Sequence, residues 1–376
     1  MRRICYISGT RADFGLMKMT LKAIDAHADL SMELIVTGMH LLPEYGETWR
    51  EIVEADLSIM ERVPVRLEGG SGADMALAMA EQLRAFTVAL SHSRPDAVLV
   101  LGDRGEMLAG ALAAIHLNIP VVHIHGGELS GTVDEPVRHA ISKLSHVHLV
   151  ASDRSRERLV RMGEKPEQVF VTGAPGLDEI LDLTLIDKTE LWSRYELDSN
   201  KPLLMMVYHP VVQQIDDLSR QANAIMDALA CCEMQVVILL PNADAGGAIL
   251  RDVFTARAEQ LGMDCLPHLP RTEYLSMIAH ADVLVGNSSS GIIEAASLGT
   301  PVVNIGDRQR CRERNENTID VAASTDEIAE GIRTAAARKG QQWDNVYGDG
   351  HSAQRIAARL ADVDLSPAIL EKINAY

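Results

Sequence analysis

Short apolar runs alternate along the chain with longer stretches whose apolar residues recur at helical spacing. In segment 73–91, for example, Met79, Leu83 and Phe86 follow one another at intervals of three or four, which predicts a helix. Alternation of such helices with strands is typical of α/β proteins with a doubly wound parallel sheet. The apolar runs predict strands at 3–8, 32–36, 97–101, 121–125, 147–150, 169–172, 203–208, 235–239, 283–286 and 302–305.

The predicted strands fall into two series, the second of which begins after Pro202. A chain of 376 residues is too long for one compact core, so we predict two Rossmann-like doubly wound domains. We expect the first at 1–174, the second at 175–352, and a last helical segment, 353–376, that crosses back over the first. A hinge is predicted at 173–176, where glycine and proline interrupt the pattern. Such domains place their active site in the interdomain cleft, lined by strand ends.

The composition of the chain limits the partners it can have. With 53 acidic and 35 basic residues, its formal net charge of −18 argues against nucleic acid or an anionic membrane. The apolar run before Gly9 is too short for a signal peptide and no later run approaches a membrane span, so a cytoplasmic protein is expected. The five cysteines are odd in number and form no C-x-x-C pair, so neither a disulfide framework nor a metal site is expected.

Ionisable residues crowd the ends of two neighbouring predicted strands. Burying so many unpaired charges in a core would be costly, whereas the carboxyl ends of parallel strands are where α/β proteins bind ligands. The sequence therefore predicts an active site at this edge of the first sheet. Its candidate residues are Asp103, Arg104, His123, His125, Glu128, Asp134 and Arg138.

Simpler interpretations of single residues stay open. His123 and His125 alternate along a predicted strand and would face the same side, either as core residues or as site residues. Asp134 is either a catalytic carboxylate or the N-cap of the helix that bears Arg138. It is the convergence of these residues on one sheet edge that favours a site.

Two glycine-containing turns are candidates for binding phosphate. The first, 9–13, lacks the G-x-G-x-x-G pattern, so NAD is not expected, but its glycine bend and Arg11 suit a phosphate. The second, 286–291, reads Gly-Asn-Ser-Ser-Ser-Gly and leads into a helix that we expect to carry Glu294 in its first turn. Its N–H groups and hydroxyls suit a diphosphate, whereas on turn chemistry alone such a loop is more often an ordinary turn with an N-cap.

Several motifs, in order over nearly the whole chain, resemble the hydrolysing UDP-N-acetylglucosamine 2-epimerases of sialic and legionaminic acid biosynthesis. This resemblance implies a GT-B-like fold of two domains, a homodimer or homotetramer, and no cofactor. The motifs are Gly9-Thr10-Arg11-Ala12-Asp13, Thr37-Gly38-Met39-His40, Gly102-Asp103-Arg104, His123-Ile124-His125-Gly126-Gly127-Glu128, Arg138-His139-Ala140-Ile141-Ser142, Tyr208-His209-Pro210, Pro241-Asn242-Ala243-Asp244 and Gly286-Asn287-Ser288-Ser289-Ser290-Gly291.

The resemblance implies conversion of UDP-N-acetylglucosamine to N-acetylmannosamine and UDP. A base removes the C2 proton as UDP departs from C1, and the resulting 2-acetamidoglucal is hydrated while a proton returns to the opposite face of C2. The resemblance implies that the catalytic residues are Asp103, His125, Glu128, Asp134 and Arg138. It also implies that Glu294 binds the ribose and that the serines bind the diphosphate. The residues expected to bind the UDP-sugar are Arg11, Arg104, His209, Asn242, Ser288, Ser289, Glu294 and Arg308.

One position varies within the family, because some members carry glutamate and others histidine where this chain has His125. We take His125 as the second acid/base group, with Glu128 as the alternative. Two other functions stay open. One is the same reaction on UDP-2,4-diacetamido-2,4,6-trideoxyglucose, and the other is glycosyl transfer by a GT-B enzyme.

Overall fold

The computed structural model of the chain divides into two compact units, Met1–Glu179 with Tyr347–Tyr376, and Ile180–Val346. Each unit is built on one parallel sheet with helices between its strands, so the predicted fold class of two Rossmann-like doubly wound units is confirmed. The structure describes residues 1–65, 72–129, 134–241 and 246–375.

The described segments contain the following elements. The strands are β1 (Arg2–Ser8), β2 (Leu30–Thr37), β3 (Ser58–Val63), β4 (Ala97–Leu101), β5 (Val121–Ile124), β6 (Val147–Val150), β7 (Val169–Val171), β8 (Leu203–Val207), β9 (Gln235–Leu239), β10 (Asp264–Leu266), β11 (Val283–Gly286), β12 (Val302–Ile305) and β13 (Thr318–Val321). The α-helices are α1 (Arg11–Asp25), α2 (Trp49–Glu54), α3 (Gly72–Ser93), α4 (Gly105–His116), α5 (Asp134–Leu144), α6 (Asp153–Arg161), α7 (Asp178–Asp182), α8 (Lys188–Arg194), α9 (Leu218–Ala230), α10 (Gly247–Leu261), α11 (Arg271–His280), α12 (Ser289–Ile293), α13 (Thr325–Ala336) and α14 (Ser352–Asp362).

The two sheets share one strand order, except that the first has one further edge strand, β7. The first runs β3-β2-β1-β4-β5-β6-β7 and the second β10-β9-β8-β11-β12-β13, with neighbouring strands parallel throughout. In each, the order reverses once, between β1 and β4 in the first sheet and between β8 and β11 in the second. Open α/β sheets form their ligand crevices at the carboxyl ends of strands beside such a switch point.

The central strands are apolar along their whole length because helices cover both faces of a parallel sheet. All five residues of β4, Ala-Val-Leu-Val-Leu, are buried, and so are all four of β11. The polar residues that follow these strands therefore lie at the carboxyl ends of the strands, outside the apolar core. None of the helices in the described part of the chain is long and apolar enough to cross a membrane.

The last helix belongs to the first unit, where α14 packs against α1. The Arg2 guanidinium donates hydrogen bonds to the carbonyl oxygens of Leu360 and Val363 at 2.8 and 2.7 Å. These carbonyls lie at the end of α14, where the helix leaves them without backbone donors of its own. The first strand thus stabilises the end of the last helix.

The first unit extends to Glu179 and resumes at Tyr347, whereas the predicted domain boundaries were 174 and 352. The Ala174 N–H donates to the Tyr347 carbonyl at 2.7 Å, and the Ser352 N–H donates to the Asp178 carboxylate at 2.7 Å. These bonds tie both crossings of the chain into the first unit. The segment predicted as a hinge, 173–176, accordingly lies inside that unit.

Candidate active site

The first switch point brings together the turn after β1 and the loop after β4. The Arg104 Nε donates to the Glu106 carboxylate at 2.5 Å, and the same carboxylate lies against Gly9, where any Cβ would overlap it. Glycine at position 9 therefore lets the two loops approach closely. Sequence analysis did not single out Glu106, because its role depends on this approach and not on its own neighbours in sequence.

A connected set of ionisable side chains follows β4 and β5. Arg138, on α5, is 4% exposed and its guanidinium pairs with the carboxylate of Asp103. It also lies 3.8 Å from the Glu128 carboxylate, measured from Nη1 to Oε2. The other oxygen of Glu128 pairs with the Nδ1 atom of His125. Four of the five predicted catalytic residues therefore form one network, the acid–base network.

The remaining predicted catalytic residue is Asp134, with which α5 begins. Its side chain lies outside the part of the chain that the structure describes. Both interpretations of Asp134, as a catalytic carboxylate and as a helix cap, therefore stay predictions.

The two histidines of the motif occupy different environments, and the expectation that they share one strand face is wrong. Strand β5 ends at Ile124, and His125 has a left-handed backbone with φ of 61°, so the strand alternation stops before it. His123 is fully buried, with Nε2 donating to the Gly102 carbonyl at 2.7 Å and Nδ1 3.0 Å from the Ser142 hydroxyl. Burial lowers the pKa of His123 to about 3, so it is a neutral side chain that joins the end of β4 to α5.

The turn after β1 is organised by Asp13, which sequence analysis named only as part of a motif. Its buried carboxylate accepts hydrogen bonds from the N–H groups of Gly9 at 3.0 Å and Thr10 at 2.6 Å, and from the Ser8 hydroxyl at 2.5 Å. Burial nevertheless raises the pKa of Asp13 to about 6. In the turn that we expected to suit a phosphate, the N–H groups of Gly9 and Thr10 are thus engaged by Asp13.

Arg11 lies apart from the acid–base network. Its side chain is largely exposed at the start of α1, where it pairs with Glu51 at 2.8 Å. The structure thus does not group Arg11 with the predicted catalytic residues, and its role in binding UDP stays a prediction.

The second switch point is closed by Asn287, which follows β11. Its side chain accepts a hydrogen bond from the His209 N–H at 2.7 Å and donates one to the His209 carbonyl at 2.9 Å, joining the ends of β11 and β8. Gly286 has φ of 138°, and a Cβ there would overlap the Val207 carbonyl, so glycine allows this approach. The Arg308 guanidinium donates to the Asn287 carbonyl at 3.0 Å, which places a cation beside the loop.

The loop 286–291, here called the serine loop, leads into helix α12. Ser288 is its N-cap, with the side-chain oxygen 3.4 Å from the Ser290 N–H, and the Ser288 and Ser290 hydroxyls lie 2.7 Å apart. Ser289 is the first residue of the helix and is half-buried. The loop therefore does cap the helix, as the N-cap interpretation predicted, and diphosphate binding stays a prediction. Asn242 lies outside the described residues.

Glu294 is not in the first turn of its helix as expected, because α12 ends at Ile293 and Glu294 is its C-cap. The carboxylate is almost fully buried and pairs with the guanidinium of Arg271, the first residue of α11. Arg271 was missed by sequence analysis, since the partner is 23 residues away and on another helix.

Comparison with known proteins agrees with the resemblance seen in the sequence. A family model described as UDP-N-acetylglucosamine 2-epimerase matches residues 22–361. The chain is 46% identical, over the whole length of both proteins, to a UDP-N,N'-diacetylbacillosamine 2-epimerase (hydrolyzing) of Legionella pneumophila. It is 34% identical to a UDP-N-acetylglucosamine 2-epimerase of Neisseria meningitidis, with 98% of this chain and 96% of that protein covered.

The fold is likewise similar to a solved structure. The crystal structure of UDP-GlcNAc 2-epimerase from Neisseria meningitidis bound to UDP-GlcNAc superposes with a TM-score of 0.81 at 19% identity. The alignment covers 95% of this chain and 99% of that one. At this identity the likeness bears on the fold alone.

Proposed function

The chain belongs to the UDP-N-acetylglucosamine 2-epimerase family, and from that premise we propose that it is a hydrolysing 2-epimerase of a UDP-linked 2-acetamido sugar. The products are UDP and the free sugar inverted at C2. The observation that carries the proposal is the acid–base network, in which Asp103, Arg138, Glu128 and His125 join at the carboxyl ends of β4 and β5. Inverting C2 by removing its proton and returning one to the opposite face needs proton-transfer groups of this kind.

In the first step a base of the first unit takes the proton from C2 while the C1–O bond breaks and UDP leaves with its electron pair. Asp103 is proposed for this role, because Arg138 fixes the position of its carboxylate. Asp134 remains the other carboxylate proposed for proton transfer. Because the C2 proton is only weakly acidic, stabilisation of the departing diphosphate has to supply much of the rate.

In the second step water adds to the 2-acetamidoglucal. Its oxygen bonds to C1 and releases one proton, its other proton stays on the new C1 hydroxyl, and an acid delivers a proton to C2 on the opposite face. We propose His125 as the donor to C2, since its Nδ1 is held by Glu128 and the imidazole has a second nitrogen, Nε2, that can carry a proton. Glu128 is 5% exposed and engages both His125 and Arg138, so we assign it the role of orienting the imidazole.

The second unit is proposed to hold UDP. Arg308 supplies positive charge beside the serine loop, and Ser288 and Ser289 supply hydroxyls for the diphosphate. Glu294 is proposed to bind the ribose. His209, which follows β8 and is bonded to Asn287, remains a proposed contact of the UDP-sugar. In the first unit, Arg104, held by Glu106, and Arg11 remain proposed contacts of the UDP-sugar.

The sugar itself is proposed to be the diacetamido one. The full-length relative at 46% identity is named for UDP-N,N'-diacetylbacillosamine, which is UDP-2,4-diacetamido-2,4,6-trideoxyglucose, whereas the relative named for UDP-N-acetylglucosamine is 34% identical. UDP-N-acetylglucosamine is the second candidate. Glycosyl transfer is disfavoured by the carboxylates of the first unit, which transfer of a sugar would not need.

The test is to incubate the purified chain with each UDP-sugar, without any acceptor, and to analyse the products by mass spectrometry and NMR. We expect UDP and the free 2-epimer, formed faster from the diacetamido sugar. Faster turnover of UDP-N-acetylglucosamine would reverse the substrate assignment. A free sugar that keeps its configuration at C2 would refute the epimerase proposal.

A further inference from the structure

Helix α11 contributes two side chains to the loop that we assign to UDP. At its start, Arg271 forms two hydrogen bonds with Glu294, from Nη1 to Oε2 at 3.3 Å and from Nη2 to Oε1. One turn later, the Tyr274 hydroxyl bonds to that of Ser290, which lies 2.7 Å from the Ser288 hydroxyl. One helix thus contacts both the carboxylate and the serines of the loop.

The burial of Glu294 makes its ion pair with Arg271 important. Its side chain is only 6% exposed, and an almost buried carboxylate without a cation would be costly. Burial raises the pKa of Tyr274, and the nearby charge of Glu294 raises it further, so the phenol keeps its proton near neutral pH. A two-point contact with a planar guanidinium also fixes the orientation of the carboxylate, which a single contact with a lysine would not.

We propose that Arg271 is a positioning residue for nucleotide recognition, holding Glu294 so that its free lone pairs accept the ribose hydroxyls. This inference rests on the proposed function, in which Glu294 binds the ribose. A carboxylate accepts about four hydrogen bonds, so the two from Arg271 leave capacity for a vicinal diol. Arg271 would then determine the preference for a ribonucleotide over a deoxyribonucleotide.

The experiment compares the binding of UDP and 2′-deoxyuridine diphosphate by calorimetry, using the full chain. We expect the original protein to prefer UDP by roughly tenfold, the value of one hydrogen bond to a charged group. Arg271→Gln should reduce that preference to less than about twofold, by weakening UDP more than the deoxy compound. Adding Glu294→Gln to Arg271→Gln should change the preference no further, because the two residues act as one unit.

The chain offers a matched control in Arg194, which pairs with Glu273 on the same helix, α11. Arg194→Gln removes an ion pair of α11 without touching Glu294 and should leave the preference unchanged. If Arg271→Gln does not fold, Arg271→Lys, which keeps the charge but not the two-point contact, is tested in the same way. Equal weakening of both nucleotides by a folded Arg271 variant would overturn this inference, whereas failure of the original protein to bind UDP would refute the proposed function instead.

Discussion

The two switch points share one strand order but carry different chemistry. After β4 and β5, the first unit presents groups that gain or lose protons, Asp103 and His125, linked through Glu128 and Arg138. Beside β8 and β11, the second unit presents amides, hydroxyls and the guanidinium of Arg308, and its loop is anchored by the Asn287 side chain. The same topology therefore supports two kinds of site.

This difference indicates how the proposed reaction is divided. Proton transfer requires side chains that change charge, whereas holding a diphosphate requires donors that stay fixed. Changes in the acid–base network should consequently lower turnover and spare UDP binding, and changes in the serine loop should do the reverse.

The largest effect is expected from Asp103→Asn. This change keeps the shape of the side chain but removes the proton-accepting carboxylate, so turnover should fall by at least about 100-fold while UDP affinity stays within about twofold. Turnover is measured by release of free sugar and affinity by calorimetry. Asp96→Asn is the matched control, since Asp96 lies just before β4, at its other end, and accepts a hydrogen bond from the Arg3 N–H at 2.7 Å.

Two results would contradict this prediction. Asp103→Asn with near-normal turnover per folded molecule and a lowered melting temperature would make Asp103 a structural partner of Arg138. Loss of UDP binding along with turnover would instead place Asp103 on the nucleotide.

A somewhat smaller effect is expected from His125→Gln, which removes the proposed donor to C2. Free-sugar formation should fall by about 100-fold, with some 2-acetamidoglucal released if elimination continues without hydration. Glu128→Gln keeps the imidazole and should cost less, about tenfold, by loosening its orientation. His125→Glu should restore part of the activity. An active His125→Gln beside an inactive Glu128→Gln would transfer the acid/base role to Glu128.

In the second unit, Arg308→Ala should weaken UDP by about tenfold or more, since a hydrogen bond to a charged group contributes roughly 1.5–3 kcal/mol. Ser288→Ala removes a hydroxyl and a helix cap and should weaken UDP less. Arg310→Ala, at an exposed position nearby, is the control. Unchanged UDP affinity in both variants would place the diphosphate elsewhere, with Arg11 as the next candidate.

The smallest effect on activity is expected at Glu164, a buried carboxylate of the first unit that pairs with Lys143, Lys372 and His148. Burial acts to raise its pKa, but hydrogen bonds from His148, Lys143 and Lys372 outweigh it and bring the pKa down to about 2. Because the folded pKa is depressed, the resulting stability is present above about pH 4.5 and lost as the pH falls towards 2.

Glu164→Gln should therefore lower the free energy of unfolding near neutral pH by an amount on the order of 3 kcal/mol and leave the chain less sensitive to acid. Turnover per folded molecule should stay unchanged. Denaturant titrations at several pH values measure the first effect, with exposed Glu167→Gln as the control. A large loss of turnover at unchanged stability would show that Glu164 belongs to the chemistry.

The central sheets could be predicted from the sequence because their strands are buried on both faces. The bounds of β4, β6, β9, β11 and β12 agree residue for residue with the apolar runs. The three missed strands, β3, β10 and β13, are all at sheet edges. Edge strands are partly exposed and mix polar with apolar residues, as the Ser-Ile-Met-Glu-Arg-Val of β3 does, so periodicity does not single them out.

The candidate site was predictable to the extent that strand ends converge. That rule grouped Asp103, Glu128 and Arg138 in advance, and the structure shows that Arg138 contacts both carboxylates. It did not reveal Arg271 beside Glu294, because that pairing depends on how two helices pack. It also misjudged His125, since a left-handed residue after a strand leaves no periodic signal.

The most direct measurement of the central claim is isotope incorporation during turnover. In deuterated water the free sugar should carry one deuterium, at C2, because the network removes one proton and returns another. In water enriched in oxygen-18, the label should enter the sugar at C1 and stay out of UDP, since the C1–O bond breaks. A sugar without deuterium at C2, or UDP that carries the label, would contradict elimination followed by hydration.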